Sequence, residues 1–146
     1  MAFTTYKGKY KLRKPKKYIG DPNDIVFRSL WERQAFRWCE DSDRIKRWNS
    51  ESVIIPYCCA TDGRMHKYHI DLTLEWADGS IVIVEIKPKK QTKKPKPPKR
   101  KTKGYINEVM AYSKNTSKWQ AAEEFAKKNN IKFEIWTEDT LRGLGI

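Results

Sequence analysis

His69-Ile70-Asp71-Leu72-Thr73-Leu74-Glu75-Trp76, then Ala77-Asp78-Gly79, then Ser80-Ile81-Val82-Ile83-Val84-Glu85-Ile86-Lys87, is the stretch whose reading decides the fold. Both arms are rich in β-branched residues and alternate or run apolar, so both read as strands. Asp78-Gly79 marks the turn between them. A two-residue loop would set Leu72 against Glu85 and Asp71 against Ile86, mixing polar and apolar groups on both faces. A three-residue loop, Ala77 to Gly79, pairs Trp76 with Ser80, Leu74 with Val82, Leu72 with Val84 and Ile70 with Ile86. One face is then wholly apolar. The other carries Thr73 against Ile83, Asp71 against Glu85 and His69 against Lys87. A one-residue slip turns every side chain to the opposite face, so the hydrophobic pattern selects the second register. Gly79 supplies the left-handed residue such a loop needs.

That register sets two carboxylates side by side, which destabilises a sheet unless something offsets the repulsion. A divalent cation between them does so, and carboxylate oxygens suit Mg²⁺, with Mn²⁺ as a substitute. Lys87 stands two residues beyond Glu85 and so shares its face. Two acids and a lysine around a metal suit phosphodiester hydrolysis: the metal polarises the phosphate and acidifies a water, and the lysine orients that water or offsets charge. An exposed strand face with ordinary charges is the plain alternative.

Composition narrows the choice. A chain of 146 residues suits one domain, residues 1–146, around one core. Its net charge of +13 and pI near 9.7 exceed what solubility asks for and attract polyanions. The cysteines, Cys39, Cys58 and Cys59, are odd in number and two are adjacent, which argues against a disulfide framework and for a reducing compartment. No apolar run reaches the length of a membrane span, and Met1-Ala2-Phe3-Thr4-Thr5 lacks an apolar signal region.

Residues 1–20 form a basic arm in which lysines and Arg13 interleave with Tyr6, Tyr10 and Tyr18. It reads equally as a solvated arm and as a phosphate-binding arm whose aromatics stack on bases. Asp24 or Ser29 opens a helix to about Asp41, with Leu30, Trp31, Ala35, Trp38 and Cys39 on its apolar side. Glu32 falls at the flank of that side. It is either a first-turn acid favoured by the helix dipole or a third acid for the metal site. Residues 51–59 read as a strand, with Pro56 pointing to an edge or a bulge. Cys58, Cys59, His66 and His69 invite a zinc reading, but adjacent cysteines face opposite ways on a strand and the spacing fits no usual framework. His69, on the face of Asp71, is a phosphate contact or an ordinary strand histidine.

Residues 88–103 hold nine basic residues (Lys89, Lys90, Lys93, Lys94, Lys96, Lys99, Arg100, Lys101 and Lys103), four prolines and no acid. The prolines forbid a regular helix or central strand. Such a run serves as a linker or localisation signal elsewhere. Here it leaves directly from Lys87, where a cationic loop would hold a nucleic-acid backbone. Beyond it, Tyr105 to Tyr112 reads as one helix. A second is capped at Thr116-Ser117, with Ser117 and Gln120 as a capping box and Trp119, Ala122, Phe125 and Ala126 as its stripe. Asn129-Asn130 stops it. Ile131 to Trp136 reads as a strand, and Thr137 opens a short terminal helix.

Asp71, then Glu85-Ile86-Lys87, resembles the signature of the PD-(D/E)XK nucleases, although Ile70 stands where their proline often precedes the first acid. The order helix, strand, two-stranded hairpin, helix pair, strand is likewise similar to the restriction-endonuclease-like αβββαβ core, an α/β fold with a mixed central sheet flanked by helices. Phe27-Arg28-Ser29-Leu30-Trp31-Glu32, Ile55-Pro56-Tyr57, Glu85 to Lys90 and the tail Thr137 to Gly145 together resemble the head completion nucleases of T-even-type tailed phages. The resemblance implies a Mg²⁺-dependent deoxyribonuclease that processes packaged double-stranded DNA before heads join tails. Its setting would be the virion or host cytoplasm, with head, neck or portal proteins as partners. It implies metal ligation by Asp71, Glu85 and the Ile86 carbonyl, water positioning by Lys87, and Glu32 as an added catalytic or metal-binding acid. Two rivals stand beside it: a non-catalytic basic DNA-binding or structural protein, and a repair or transposon-end nuclease of the same fold.

Overall fold

In the computed structural model the elements run β1 (Gly8–Lys9), a 3-10 turn (Pro15–Lys17), β2 (Val26–Phe27), α1 (Leu30–Asp41), β3 (Ile45–Ser50), β4 (Ile54–Cys58), β5 (Met65–His69), β6 (Leu72–Trp76), β7 (Ile81–Ile86), a second 3-10 turn (Lys89–Thr92), α2 (Lys103–Lys128), β8 (Lys132–Trp136) and α3 (Glu138–Gly143). Residues 7–146 are described; the readings placed on Met1 to Thr5 and on Tyr6 lie outside them. The central sheet has the order β3-β6-β7-β8. Its first three strands are antiparallel, and β8 joins β7 in parallel after the long crossover through α2. No helix among the described residues is long and apolar enough to cross a membrane.

The β6–β7 hairpin adopts the register of the three-residue loop. Leu72 faces Val84, Thr73 faces Ile83 and Leu74 faces Val82. The Trp76 amide donates to the Ser80 carbonyl at 2.9 Å, and Gly79 takes φ +89°. Leu72, Leu74 and Val84 are fully buried. Each such side chain is worth roughly 1.5–3 kcal/mol. A directly opposed like-charge pair costs up to about 1 kcal/mol, so the apolar face dictates the register over the acids.

Two hydrophobic clusters cover the two faces of the sheet. The first joins Trp31, Ala35, Phe36 and Cys39 of α1 to Leu72, Leu74, Val82, Val84 and Ile86, with Trp48, Trp136 and Leu141. The second joins Ala122 and Ala126 of α2 to Ile83, Phe133, Ile70 and the β4–β5 residues Ile55, Tyr57 and Tyr68. Ile83 and Val84 thus enter opposite clusters, as strand alternation requires. Ser29 starts α1 by accepting the Glu32 amide at 3.2 Å, and the terminal α3 carries a Thr137/Thr140 capping box.

Several expectations are corrected. The strand expected over 51–59 is β4, which pairs only with β5 in a separate two-stranded sheet, so Pro56 sits on an edge strand. The strand that flanks the hairpin is β3, bulged between Ile45 and Arg47. The segment His69 to Trp76 is not one strand. It bends at Ile70-Asp71, so His69 pairs with Ile54 rather than facing Lys87, and Ile70 enters the second cluster, away from Ile86. The helix pair is one helix, α2, capped by Thr102, which accepts the Tyr105 amide at 3.1 Å. Thr116 and Ser117 do not break it, because their hydroxyls donate back to the Tyr112 and Ser113 carbonyls.

From Gly8 onward the N-terminal stretch is part of the fold rather than an arm. β1 pairs with β2. Tyr10 is buried and donates its hydroxyl to the buried Glu40, whose other oxygen accepts the Arg13 and Lys14 amides at 2.7 and 2.6 Å. Tyr18 packs edge-on against Trp48 at 4.8 Å. Both tyrosines are structural.

Candidate active site

Asp71 lies at the bend between β5 and β6, one position before the ladder with β7 begins. Its Oδ2 accepts the Ile86 amide at 2.8 Å. This bond holds the carboxyl against β7, where Glu85 projects from the face it shares with Ile83. Glu85 is only 5% exposed. Its Oε2 accepts the Tyr68 hydroxyl at 2.8 Å, and its Oε1 lies 3.4 Å from the Lys87 ammonium. Asp71 and Glu85 are not a ladder pair, since the ladder starts at Leu72 and Val84, but their carboxyls come into contact.

Glu32 completes the group from α1. It is buried, and its Oε2 accepts the Arg28 amide, so the first-turn role is real. The same geometry brings its carboxyl into hydrogen-bonding range of Asp71. Asp71 is the middle member, in contact with Glu85 on one side and Glu32 on the other. Burial, then the Glu85 charge, then the Glu32 charge push the Asp71 carboxyl well above its usual range, against the pull of the Ile86 amide. Burial also raises Glu32, opposed by the Arg28 amide and by a hydrogen bond from Asp71. The Asp71 carboxyl therefore holds its proton to higher pH than an ordinary aspartate does.

This donor set fits a hard divalent cation. It offers carboxylate oxygens only, with repulsion that a double positive charge would relieve. Asp71 and Glu85 would hold such an ion, with Glu32 beside them. The second candidate group differs in kind. Cys59, Asp62 and His66 converge at the β4–β5 turn, with ligand atoms within 4.8 Å of one another. Local partners already satisfy them, since His66 Nε2 meets Asp62 Oδ2 at 2.8 Å and the Cys59 thiol meets Thr61 Oγ1 at 3.0 Å. Cys58 is exposed on the far side of β4, and His69 is exposed on β5, so the four-residue zinc set does not assemble.

Three cations rim the acids. Arg28 is tied to Glu51 at 2.7 Å, and Lys87 to Glu85. Lys118, on α2, was absent from the sequence reading. Its ammonium lies 5.3 Å from the Tyr68 ring centroid. A signal for it exists in the sequence. Lys118, Ala122 and Ala126 follow at four-residue spacing, and both alanines are buried against the sheet. A lysine therefore stands in line with a core stripe. Tyr68 was missed because strict alternation from Asp71 puts it on the opposite face, and the bend cancels that rule.

The basic loop leaves the site at Lys87. Lys89 is held to α3, its amide by Glu138 at 2.7 Å and its ammonium by Asp139 at 2.9 Å. Lys90, Lys93, Lys94, Lys96, Lys99, Arg100, Lys101 and Lys103 are exposed. Lys90, Lys93, Lys94 and Lys96 line a cleft of about 750 Å³ against Asn107, Tyr112 and Asn115 of α2, separate from the acids.

The sequence profile described as TnsA-like endonuclease N terminal matches residues 42–138, a span that holds Asp71, Glu85, Lys87 and Lys118 but not Glu32. The head completion nuclease of Enterobacteria phage T4 is 42% identical over 144 residues, which covers 96% of each chain. No solved structure matches significantly.

Proposed function

This chain belongs to the TnsA-like endonuclease family, and on that premise we propose that it is a divalent-metal-dependent deoxyribonuclease that acts on packaged DNA as phage heads are completed in the host cytoplasm. The observation that carries the chemistry is the buried contact of Asp71 with Glu85, with Lys87 at 3.4 Å from Glu85. Buried like charges in contact repel, and metal binding is the role that offsets that cost. Mg²⁺ is the ion the oxygen-only set favours, with Mn²⁺ as a substitute. When bound, it supplies polarisation of the scissile phosphate and a more acidic water.

The chain's own groups do the rest. Tyr68 and the Ile86 amide fix the two carboxylates, so ligand positions are set before substrate arrives. Lys87 stands beside Glu85 where its ammonium orients a water and offsets charge that grows on the phosphate. In the reaction a water oxygen joins phosphorus, one P–O ester bond breaks, and the departing oxygen leaves as a hydroxyl. The exposed cations of the basic loop hold the DNA backbone without reading sequence. Head, neck or portal proteins of the phage are the partners this role calls for. The family match also favours a second reading, a transposon-end type of nuclease. Sequence-selective cutting would point to it.

The test is cleavage of linear and circular duplex DNA with Mg²⁺ and with EDTA, for wild type and Glu85→Ala. Cutting that needs both Mg²⁺ and Glu85 is expected. Salt-sensitive binding with no cutting under any condition would leave a basic binding protein instead.

A further inference from the structure

We propose that Lys118 is a second catalytic cation, which binds a non-bridging oxygen of the substrate phosphate at the site formed by Asp71, Glu85 and Lys87. This rests on the nuclease reading above and adds to it a residue and a substrate contact. Three observations carry it.

The first is position. Lys118 lies one turn before Ala122 on the α2 face that packs on the sheet, and its ammonium rests over the ring of Tyr68 at 5.3 Å. The hydroxyl of that ring holds Glu85 Oε2, so Lys118 and Lys87 approach Glu85 from different elements. The second is its lack of a counter-ion. Glu85 Oε1 is engaged by Lys87, and Arg28 is matched by Glu51. Lys118 has no carboxylate within salt-bridge distance among the described residues. It is partly withdrawn from water, drawn by Glu85 and Asp71, and repelled by Lys87 and Lys114. A desolvated ammonium held on an aromatic face is a costly ornament for a helix that has solvent on its other side.

The third is charge balance. With a divalent ion bound, the carboxylates of Glu32, Asp71 and Glu85 are neutralised by the ion and Lys87 together. Lys118 is then the surplus positive charge, equal and opposite to one phosphodiester. Lys114, four residues earlier and exposed, continues the positive track away from the site. The rival account is structural, with the Lys118 stem merely covering Tyr68.

Lys118→Met keeps the stem and removes the charge, and Lys118→Arg keeps a charge. The substrate is a linear duplex oligonucleotide at saturating protein, and melting temperature is followed in parallel. Lys118→Met should slow single-turnover cleavage in Mg²⁺ by about 100-fold, the size found for removing one donor to a developing anion, with melting unchanged. In Ca²⁺ without cutting, its binding should lose about 0.9 of log–log salt slope, as expected for one phosphate contact. Lys118→Arg should recover most of both. A Met variant that cuts and binds like wild type, while Glu85→Ala is inert, would overturn the role of Lys118 and leave the nuclease reading intact. So would a Met variant that melts lower and is not rescued by arginine. Wild type that never cuts would overturn the nuclease reading itself.

Discussion

Asp71→Asn should make the metal-free protein more stable while abolishing cleavage. The amide is nearly isosteric and its Oδ1 can still accept the Ile86 amide, so the 2.8 Å bond survives. What disappears is a negative charge in contact with two others. Two like charges about 4 Å apart repel by about 4 kcal/mol at an effective dielectric near 20. Asp71 escapes part of this by taking up a proton, so a relief of roughly 1–2 kcal/mol should remain, or about 3–8 °C in Tm for a chain of this length. The sign with pH follows. The folded state holds the Asp71 proton to higher pH than the unfolded chain does. From the ordinary value of 3.8 up to the raised folded value, stability therefore falls as pH rises. The advantage of the amide should open over that window and close below it. Divalent metal reverses the order. At about 100 times its Kd an ion adds roughly 2.7 kcal/mol to the form that binds it, so wild type should gain about 9 °C in Mg²⁺ and the variant little. Thermal melts in EDTA and in Mg²⁺, from pH 4 to 8, measure all of this. An Asn variant that melts at or below wild type in EDTA would refute the argument from acid repulsion. Equal Mg²⁺ gains in both proteins would put the ion elsewhere.

Lys87→Ala should abolish cleavage in a single-turnover assay while duplex binding in Ca²⁺ and the melting curve stay close to wild type; loss of binding instead would make Lys87 part of the clamp. Replacing Lys93, Lys94, Lys96 and Lys99 together by alanine should lower the slope of log binding against log salt by up to about 3.6, at roughly 0.9 per phosphate contact, with Tm unchanged because all four are exposed. An unaltered slope in a fluorescence titration would remove the loop from the DNA interface. Glu40→Ala should cost roughly 3 kcal/mol, or about 10 °C in Tm, since it orphans the Tyr10 hydroxyl and the Arg13 and Lys14 amides. A calorimetric shift under 2 °C would mean water replaces the carboxylate.

The parts of the fold legible in the sequence are those where one force dominates. The hairpin register followed from period-two burial, because Leu72, Leu74, Val82 and Val84 leave a single apolar face to choose. The acid pair then followed from geometry, not from the acids themselves. β3 was hidden because Ile45-Lys46-Arg47-Trp48-Asn49-Ser50 does not alternate, and its bulge between Ile45 and Arg47 explains why. The bend at Ile70-Asp71 was hidden for a related reason. Ile70 is apolar on either side of the sheet, so its residue type does not disclose the cluster it enters. Asn115-Thr116-Ser117 resembles a helix break by composition, and only the returned hydroxyl bonds show that the helix runs through. Lys118 belongs to no motif, and only its place in the Ala122–Ala126 line marks it as unusual.

The crossover from β7 to β8 bears on how this enzyme can vary by descent. It leaves at Lys87, is fastened to α3 at Lys89, and is fastened again where Thr102 begins α2. Between those clasps the chain carries cations and no core residue. Closing a longer segment costs only about 0.6 kcal/mol for each doubling of length. Insertions and deletions of basic residues there are close to free for the fold, and they leave the carboxylates where they are. On the function proposed above, the strength of the hold on DNA and the chemistry of cutting it are separately heritable. A lineage with that function could tune the first while the second stays fixed.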